Sequence, residues 1–343
     1  MGFPPILRLP FIPESAFMSA ESRVASPSGL APAVPAIETG RWLGAAAALA
    51  TVSLWAIGLV ITRFGLTSGS LSLWDVIFLR MVLPAMLLLP LLWRLPAPPP
   101  GRARGRYVLL LFVVAAGAGL PFMLAGSTGM FFAPAAHAGA LMPGSMPLFA
   151  ALLAVLFLGE RFTAQRRAGT ILMLLGAIAV GGWQIIGGQI GETAGDTWRG
   201  DLLFVLAGAL WACYTVALRK SGIGAWQAAA LAYTSAFALY TPVYLLWLDS
   251  RVLTAPLFDI GLQIVQSVAS GLLSMALYGY AVRRLGAAPA AAFGALTPAL
   301  TALLAIPLLG EWPEAVTWIG IGAVSLGVAL ANGAFSRYNR TNH

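Results

Sequence analysis

The sequence contains few charged residues: they make up 9% of the 343 positions, whereas soluble domains carry about 25%. Residues 107 to 159 contain no Asp, Glu, Lys or Arg at all. A helix needs about 20 apolar residues to cross a bilayer, so this stretch is long enough for two crossings. The composition excludes an ordinary soluble domain and indicates a membrane protein. Uninterrupted apolar runs, rather than alternating ones, favour helices over a β-barrel.

Cysteine is nearly absent as well. The single residue, Cys213, cannot form an internal disulfide, so cysteine usage gives no information about the compartment. The net charge of +8 would indicate nucleic acid binding in a soluble protein, but basic residues beside membrane spans determine topology instead. Nucleic acid is therefore not a predicted partner, and no metal or cofactor is predicted.

Hydropathy predicts ten membrane spans, and the basic residues predict their orientation. With a cytoplasmic N-terminus, sixteen basic residues fall in the tails and even-numbered connections, and only Arg63, Arg199 and Arg251 fall in the odd-numbered ones. Adding or removing one span would move every later basic cluster to the other side, so both termini are predicted to be cytoplasmic. The spans are 42–62, 72–93, 107–126, 134–158, 167–187, 200–218, 227–247, 259–281, 286–309 and 314–334.

Two stretches of the chain are similar in sequence. "LLAVLFLGERF" ends at Phe162 and "LLAIPLLGEWP" ends at Pro313, and a shift of 151 residues matches 13 of 36 positions between 147–182 and 298–333. A shift of 156 aligns 54–63 with 210–219. The chain is therefore predicted to contain two five-helix copies, at 41–190 and 199–335. Because five is odd, the copies would have inverted topology, as in many secondary transporters.

The ends of the chain are predicted to lie outside these copies. Residues 1–40 contain seven prolines and no apolar run of span length, which is typical of a disordered tail. Residues 336–343 are predicted to form a short C-terminal tail. Both tails are predicted to be cytoplasmic.

The chain resembles the ten-helix EamA family of the drug/metabolite transporter superfamily over essentially all of 42–334. The resemblance rests on "SLWA" in span 1, "FLRMVL" with Arg80 in span 2, the proline-bearing spans 4 and 9, and "LGE" before a glycine-rich helix in each copy. It implies an all-α integral membrane fold of ten transmembrane helices in two inverted five-helix repeats. It also implies transport of amino acids, other metabolites or drugs, and relatives carry nucleotide sugars. Trp55-Ala56 departs from the Trp-Gly of many members.

The candidate substrate-binding residues are aromatic or polar side chains placed within the spans. Trp211/Tyr214 and Ser274/Tyr278 share helix faces through their i,i+3 and i,i+4 spacings, and an apolar pocket with a few polar groups is typical of small-molecule sites. Ordinary helix packing explains each residue almost as well, and His137 is either a ligand-binding residue or a satisfied polar one. The candidates are Trp55, His137, Met142, Trp211, Tyr214, Tyr278 and Phe293.

A second group is predicted to be structural or to take part in gating. Gly159 and Gly310 suit left-handed helix ends, after which Glu160 and Glu311 would neutralise helix N-termini, pair with cations or form gating contacts. Arg80 either pairs with backbone carbonyls or Asp75, or anchors a substrate carboxylate. Prolines in spans 4 and 9 either line a cavity or accompany tight packing. These prolines are Pro143, Pro147 and Pro298.

The predicted function is export of amino acids or similar small zwitterions across a bacterial inner membrane by a monomer or weak dimer. Acidic residues lie only near span ends, so a facilitator or exchanger is predicted unless His137 carries a proton. The alternative cargoes are drugs and nucleotide sugars, although the latter call for several inward-facing basic residues. An enzyme is not predicted, because His137 has no His, Cys or carboxylate within its span.

Overall fold

The computed structural model describes residues 36–101, 103–158, 163–182 and 196–332, and within these ranges the chain is helical apart from short connections. No strand occurs in the described ranges. The α-helices are α1 (Ala36–Thr67), α2 (Leu73–Leu88), α3 (Arg104–Ala118), α4 (Leu120–Phe132), α5 (Ala135–Leu158), α6 (Ala164–Ala177), α7 (Thr197–Ser221), α8 (Ala225–Trp247), α9 (Leu257–Ser267), α10 (Ser274–Leu285), α11 (Ala287–Ala292), α12 (Thr297–Leu309) and α13 (Ala315–Ala331).

Every predicted span contains a helix. Among the described residues, seven helical stretches are long and apolar enough to cross a membrane by length and composition, and α13 is a shorter apolar helix. The number of crossings stays a prediction. The seven stretches are Arg41–Thr67, Leu73–Arg94, Arg104–Phe132, Thr197–Ser221, Ala225–Trp247, Leu257–Leu285 and Pro289–Leu309.

Local sequence signals explain where several helices begin and end. At the start of α2, Ser72 and Asp75 form a capping box, in which each side chain accepts the other residue's backbone N–H. Gly310 ends α12 in the left-handed region, with φ of 69°, as predicted. The helix α1 begins at Ala36, six residues before the predicted span and inside the predicted tail.

Two spans contain wide helical turns near their middle. Residues Val268–Leu273 form a π-helical segment between α9 and α10, and Ile178–Gly182 form another after α6. Such segments interrupt the regular α-helical hydrogen bonding and are frequent at functional sites. The first segment lies beside the polar side chains of the candidate site, and the second lies beside Asp201.

Glycines bring α6 and α13 into backbone contact. A Cβ atom on Gly169 would lie 2.7 Å from the carbonyl oxygen of Gly327, and one on Gly176 would lie 2.8 Å from that of Gly320. Because rising residue numbers on α6 meet falling numbers on α13, the two helices are antiparallel. These four glycines are also the repeat-equivalent pairs at the shift of 151, so the contact is nearly two-fold symmetric.

Replacing Gly320 by alanine is expected to lower the free energy of unfolding by about 1–3 kcal/mol, because the new methyl group would overlap backbone. Its Cβ would lie 2.8 Å from the carbonyl oxygen of Gly176 and 3.1 Å from the amide nitrogen of Val180. Gly322 on the same helix is the matched control, since nothing lies within 4 Å of its Cβ position. Gly322→Ala should leave stability unchanged or slightly higher. Thermal unfolding of both variants in detergent measures the difference, and equal midpoints would contradict the close contact.

Candidate functional site

Arg80 lies midway along α2, and its side chain is half-buried. Its Nη1 donates a 3.0 Å hydrogen bond to the hydroxyl of Thr62 on α1. The phenol of Tyr233 on α8 lies within electrostatic range of the guanidinium. A guanidinium carries five N–H donors, and Thr62 is the hydrogen-bond partner among the described residues. Arg80 therefore has donors available to a bound anion.

The alternative predicted for Arg80, an ion pair with Asp75, is wrong in this structure. The carboxylate of Asp75 is buried at the start of α2 and accepts hydrogen bonds from its own cap, from the last turns of α8 and from the loop after α8. The donors are the backbone N–H and hydroxyl of Ser72, the hydroxyls of Tyr244 and Ser250, and the backbone N–H of Arg251. Asp75 thus joins α2 to α8 and to this loop, and among the described residues Arg80 pairs with no carboxylate.

A row of polar side chains joins α1 to α9 and the π-helical segment. The buried hydroxyl of Thr62 accepts from Arg80 and also from Nε2 of Gln266, at 2.8 Å. Oε1 of Gln266 in turn accepts from the hydroxyl of Ser270 at 2.9 Å. Nε2 of Gln263 donates to the backbone carbonyl of Ile61 at 2.8 Å. This network fixes the orientation of the Thr62 hydroxyl and therefore the position of the Arg80 guanidinium.

Two aromatic pairs lie on the helices beside this network. The rings of Trp55 and Tyr278 have centroids 5.9 Å apart, and Nε1 of Trp55 donates to the hydroxyl of Ser274 at 3.0 Å. The rings of Trp211 and Phe122 have centroids 5.2 Å apart. The shift of 156 that aligns Trp55 with Trp211 also aligns Phe122 with Tyr278. The same inter-repeat aromatic contact is therefore built twice.

Tyr214 connects the second aromatic pair to Arg80. Its ring packs on Trp211 with centroids 5.0 Å apart, and its phenol lies within electrostatic range of that of Tyr233. Tyr233 in turn interacts with Arg80. The hydroxyl of Ser274 donates to the backbone carbonyl of Ser270, which joins the first aromatic pair to the row of polar side chains. We define the central cluster as the set of residues joined by these contacts. It consists of Trp55, Thr62, Arg80, Phe122, Trp211, Tyr214, Tyr233, Gln266, Ser270, Ser274 and Tyr278.

The central cluster includes four of the seven predicted substrate-binding residues, namely Trp55, Trp211, Tyr214 and Tyr278. Sequence reasoning missed Tyr233, Thr62, Gln266, Ser270 and Phe122. The signal for Phe122 was available, since the shift of 156 pairs it with Tyr278. Gln266 was marked by its polarity within an apolar stretch. Tyr233 had no such signal, because only the packing of α8 against α2 brings it to Arg80.

Two other predicted residues pack in apolar clusters. Met142 is buried in the core formed by α4, α5 and α7, with its methyl group near Gly126. Phe293 packs with Tyr278 against alanines of α1, α10 and α11. Phe122 of the central cluster packs against the same core that contains Met142, and Tyr278 packs against the same alanines as Phe293.

The prolines of spans 4 and 9 lie in tightly packed helices. Pro143 and Pro147 are inside α5, and Pro298 is buried at the start of α12. On α5, a Cβ atom on Gly139 would lie 2.6 Å from that of Thr301 on α12, and one on Gly144 would lie 2.8 Å from a methyl carbon of Val324 on α13. This face of α5 is therefore filled by its neighbours.

His137 lies apart from the central cluster, near the start of α5. Its Nδ1 is 2.8 Å from Oδ1 of Asp201 on α7, and both side chains are buried. Sequence reasoning found the histidine but not its partner, which is 64 positions away along the chain. Asp201 belongs to the second repeat and His137 to the first.

Glu311 contacts two elements of the first repeat directly and a third through Arg63. One carboxylate oxygen is 2.7 Å from Nε of Arg63 at the end of α1, and the other accepts the backbone N–H of Ala135 at 2.8 Å. Arg63 also donates to the carbonyls of Met130 and Phe131 at the end of α4. Glu311 thus holds the ends of α1, α4 and α5 together. The repeat-equivalent Glu160 lies outside the described residues.

Comparison with known proteins relates this arrangement to a family. The model of the EamA-like transporter family matches residues 42–182 and 198–333, one copy for each repeat. The chain belongs to the EamA-like transporter family. It is therefore a multi-pass membrane protein whose family transports small molecules. In the part of the chain that the structure describes, no three His, Cys, Asp or Glu side chains are placed to hold a metal ion.

Solved structures show the fold of this EamA-like protein and nothing further. One, described as "Crystal structure of protein", has a TM-score of 0.54 and 18% sequence identity, and the match covers 87% of this chain and 99% of the other. The comparison with curated proteins gives no significant match.

Proposed function

We propose that this EamA-like protein exports amino acids or similar small metabolites that carry a carboxylate. The observation that supports this cargo is Arg80, whose guanidinium lies within the helical bundle and has donors left over after its bond to Thr62. Guanidinium groups bind carboxylates through two parallel hydrogen bonds. The aromatic rings of Trp55, Trp211 and Tyr214 would then cover the rest of a small cargo.

The single guanidinium in the central cluster argues for one carboxylate rather than several phosphates. A nucleotide sugar would call for several basic side chains, and Arg80 is the only Lys or Arg of the cluster. A hydrophobic cation would call for a buried carboxylate near the aromatic rings. Asp75 and Asp201 are the buried acids of the described residues, and each is held in contacts away from these rings.

The proposed mechanism is alternating access between two inverted repeats, 41–190 and 199–335. Antiparallel contact between the repeat-equivalent helices α6 and α13 is what inverted copies require. The two aromatic pairs are related in the same way, since each joins one residue of each repeat. If the two repeats exchanged conformations, the pair Trp55–Tyr278 would take up the packing environment that the pair Phe122–Trp211 has in this structure, and the reverse. This would open the cluster to opposite sides in turn.

Contacts between the connections support ten crossings with both termini in the cytoplasm of a bacterium. Arg63 and Glu311 join the first and ninth connections, and Ser70 of the first connection contacts Asp259, the first residue of the span after the seventh connection. Gln227, the first residue of the span after the sixth connection, donates to the carbonyl of Arg94 in the second connection at 2.6 Å. Each contact thus links two odd or two even connections or the span ends next to them, as alternating crossings require. The side with most basic residues is the proposed cytoplasmic side.

Counterflow in proteoliposomes tests the proposal. Vesicles loaded with unlabelled amino acid at millimolar concentration should take up the labelled amino acid transiently, because a carrier that alternates exchanges one molecule for another. A screen of the amino acids identifies the cargo, and their decarboxylated amines serve as controls that lack the group bound by Arg80. Uptake without stimulation by internal amino acid, or equal uptake of the amines, would contradict the proposal.

A further inference from the structure

Two carboxylates of the second repeat hold the first turn of α5, which belongs to the first repeat. Glu311 accepts the N–H of Ala135, and Asp201 pairs with His137 two residues later. Both contacts lie at the end of the bundle that the proposed topology places outside. They therefore join the two repeats on the external side.

The pair of His137 and Asp201 is closed off from solvent in this structure. The two residues are 5% and 6% exposed. Oδ2 of Asp201 is buried and has no hydrogen-bond partner among the described residues. It faces Gly181 of the second π-helical segment, where an added Cβ would lie 3.0 Å from this oxygen. A buried carboxylate with one unbonded oxygen is costly unless a positive charge accompanies it.

Few other ionisable groups surround the pair. No ionisable residue occurs in the described parts of α4, α12, α13 and the segment Ile178–Gly182. The two arginines of α6 lie in its first turn, at the end of the helix away from Ile178–Gly182. His137 is the only ionisable residue of α5. The start of α7 carries the exposed pair of Asp196 and Arg199. The other ionisable groups of the described residues at this end of the bundle are Arg63 and Glu311, which pair with each other, and a set around the starts of α2, α9 and α13, namely Asp75, Asp249, Arg251, Asp259 and Glu314.

We propose that His137 and Asp201 form a proton-binding site whose occupancy controls opening of the transporter on the external side. This inference rests on the proposed function. With a proton bound, the imidazolium and the carboxylate neutralise each other and the buried contact is stable. Without it, a net negative charge remains in a buried site, which favours the open state where water reaches Asp201. Acid therefore favours the closed external side and alkali the open one.

Pulsed electron paramagnetic resonance distances test this site directly. Spin labels at Thr67→Cys and Trp198→Cys, both exposed near the external end, are placed in a Cys213→Ser background in nanodiscs. Between about pH 5 and pH 8, where histidine side chains change charge, the wild-type pair should shift toward longer distances as pH rises. The ratio of the two states changes at most about tenfold per pH unit for one proton. His137→Gln should abolish the shift.

Counterflow at equal pH on both sides supplies the functional readout. The wild type should exchange cargo at least about threefold faster at pH 7.5 than at pH 5.5, as linkage to one proton predicts. His137→Gln and Asp201→Asn should exchange at rates that do not depend on pH in this range. Asp196→Asn, which removes an exposed carboxylate of the same helix, should keep the wild-type pH dependence.

The outcomes separate this proposal from the proposed function. The proton site would be overturned if the spin-label distances and exchange rates of the wild type did not change with pH. It would also be overturned if His137→Gln or Asp201→Asn kept the full pH response. Absence of counterflow at every pH would overturn the proposed export, whereas the distance measurement on the wild type would still decide the proton site. That measurement also decides it if neither variant is inserted into the membrane.

Discussion

Replacing Arg80 by glutamine is expected to weaken cargo binding by about 30-fold or more, measured as the concentration that half-saturates counterflow. Removing one partner of a desolvated charge pair costs about 2–5 kcal/mol, and each 1.4 kcal/mol is a factor of ten. Arg80→Lys should give an intermediate loss, because an ammonium keeps the charge but not the planar pair of donors. The fold should survive, since Arg80 has a hydroxyl partner and no carboxylate would be left unpaired.

Arg199→Gln is the matched control for this experiment. Arg199 is half exposed and pairs with Asp196 at the membrane edge, so its loss should leave counterflow unchanged. Normal half-saturation in Arg80→Gln, with normal elution from size exclusion in detergent, would remove Arg80 from the cargo site. The conclusion would then be that the bond to Thr62 alone explains its presence.

Glu311→Gln is expected to lower the free energy of unfolding by about 3 kcal/mol, because it leaves the charge of Arg63 without its carboxylate. It also removes the negative charge that accepts the first N–H of α5. Glu314→Gln is the control, since Glu314 precedes α13 without a side-chain capping bond. Thermal unfolding in detergent measures both variants. A double-mutant cycle with Arg63→Gln isolates the pair, and independent effects of the two substitutions would contradict the contact.

The helices were predictable because their apolar runs are long and their ends are marked. The prediction of 227–247 agrees with Ala225–Trp247, and that of 200–218 lies inside Thr197–Ser221. Span 3 was predicted too short and unbroken, whereas the structure continues to Phe132 with a break at Gly119. Pro121 explains the break, since its ring and missing N–H end the preceding hydrogen-bond ladder.

The site was less predictable because its contacts join residues far apart along the chain. Helix-face spacing placed Trp211 and Tyr214 together, and intramembrane polarity marked Arg80 and His137. Sequence spacing does not reveal the partners of these polar residues. Gln266, which bonds to Thr62, is 204 positions from it, and Asp201 is 64 positions from His137. Local spacing contains no information about such pairs. Only the internal repeat does, as the equivalence of Phe122 and Tyr278 shows.

Labelling of one cysteine at the centre of the bundle tests the central claim most directly. Ser270, half-buried and bonded to Gln266 in the central cluster, is replaced by cysteine in the Cys213→Ser background. A thiol reagent that cannot cross the membrane should label this cysteine when added to either side of sealed, oriented vesicles. Saturating amino acid cargo should slow labelling from both sides. Labelling from one side only, whatever the cargo concentration, would contradict alternating access to this cluster.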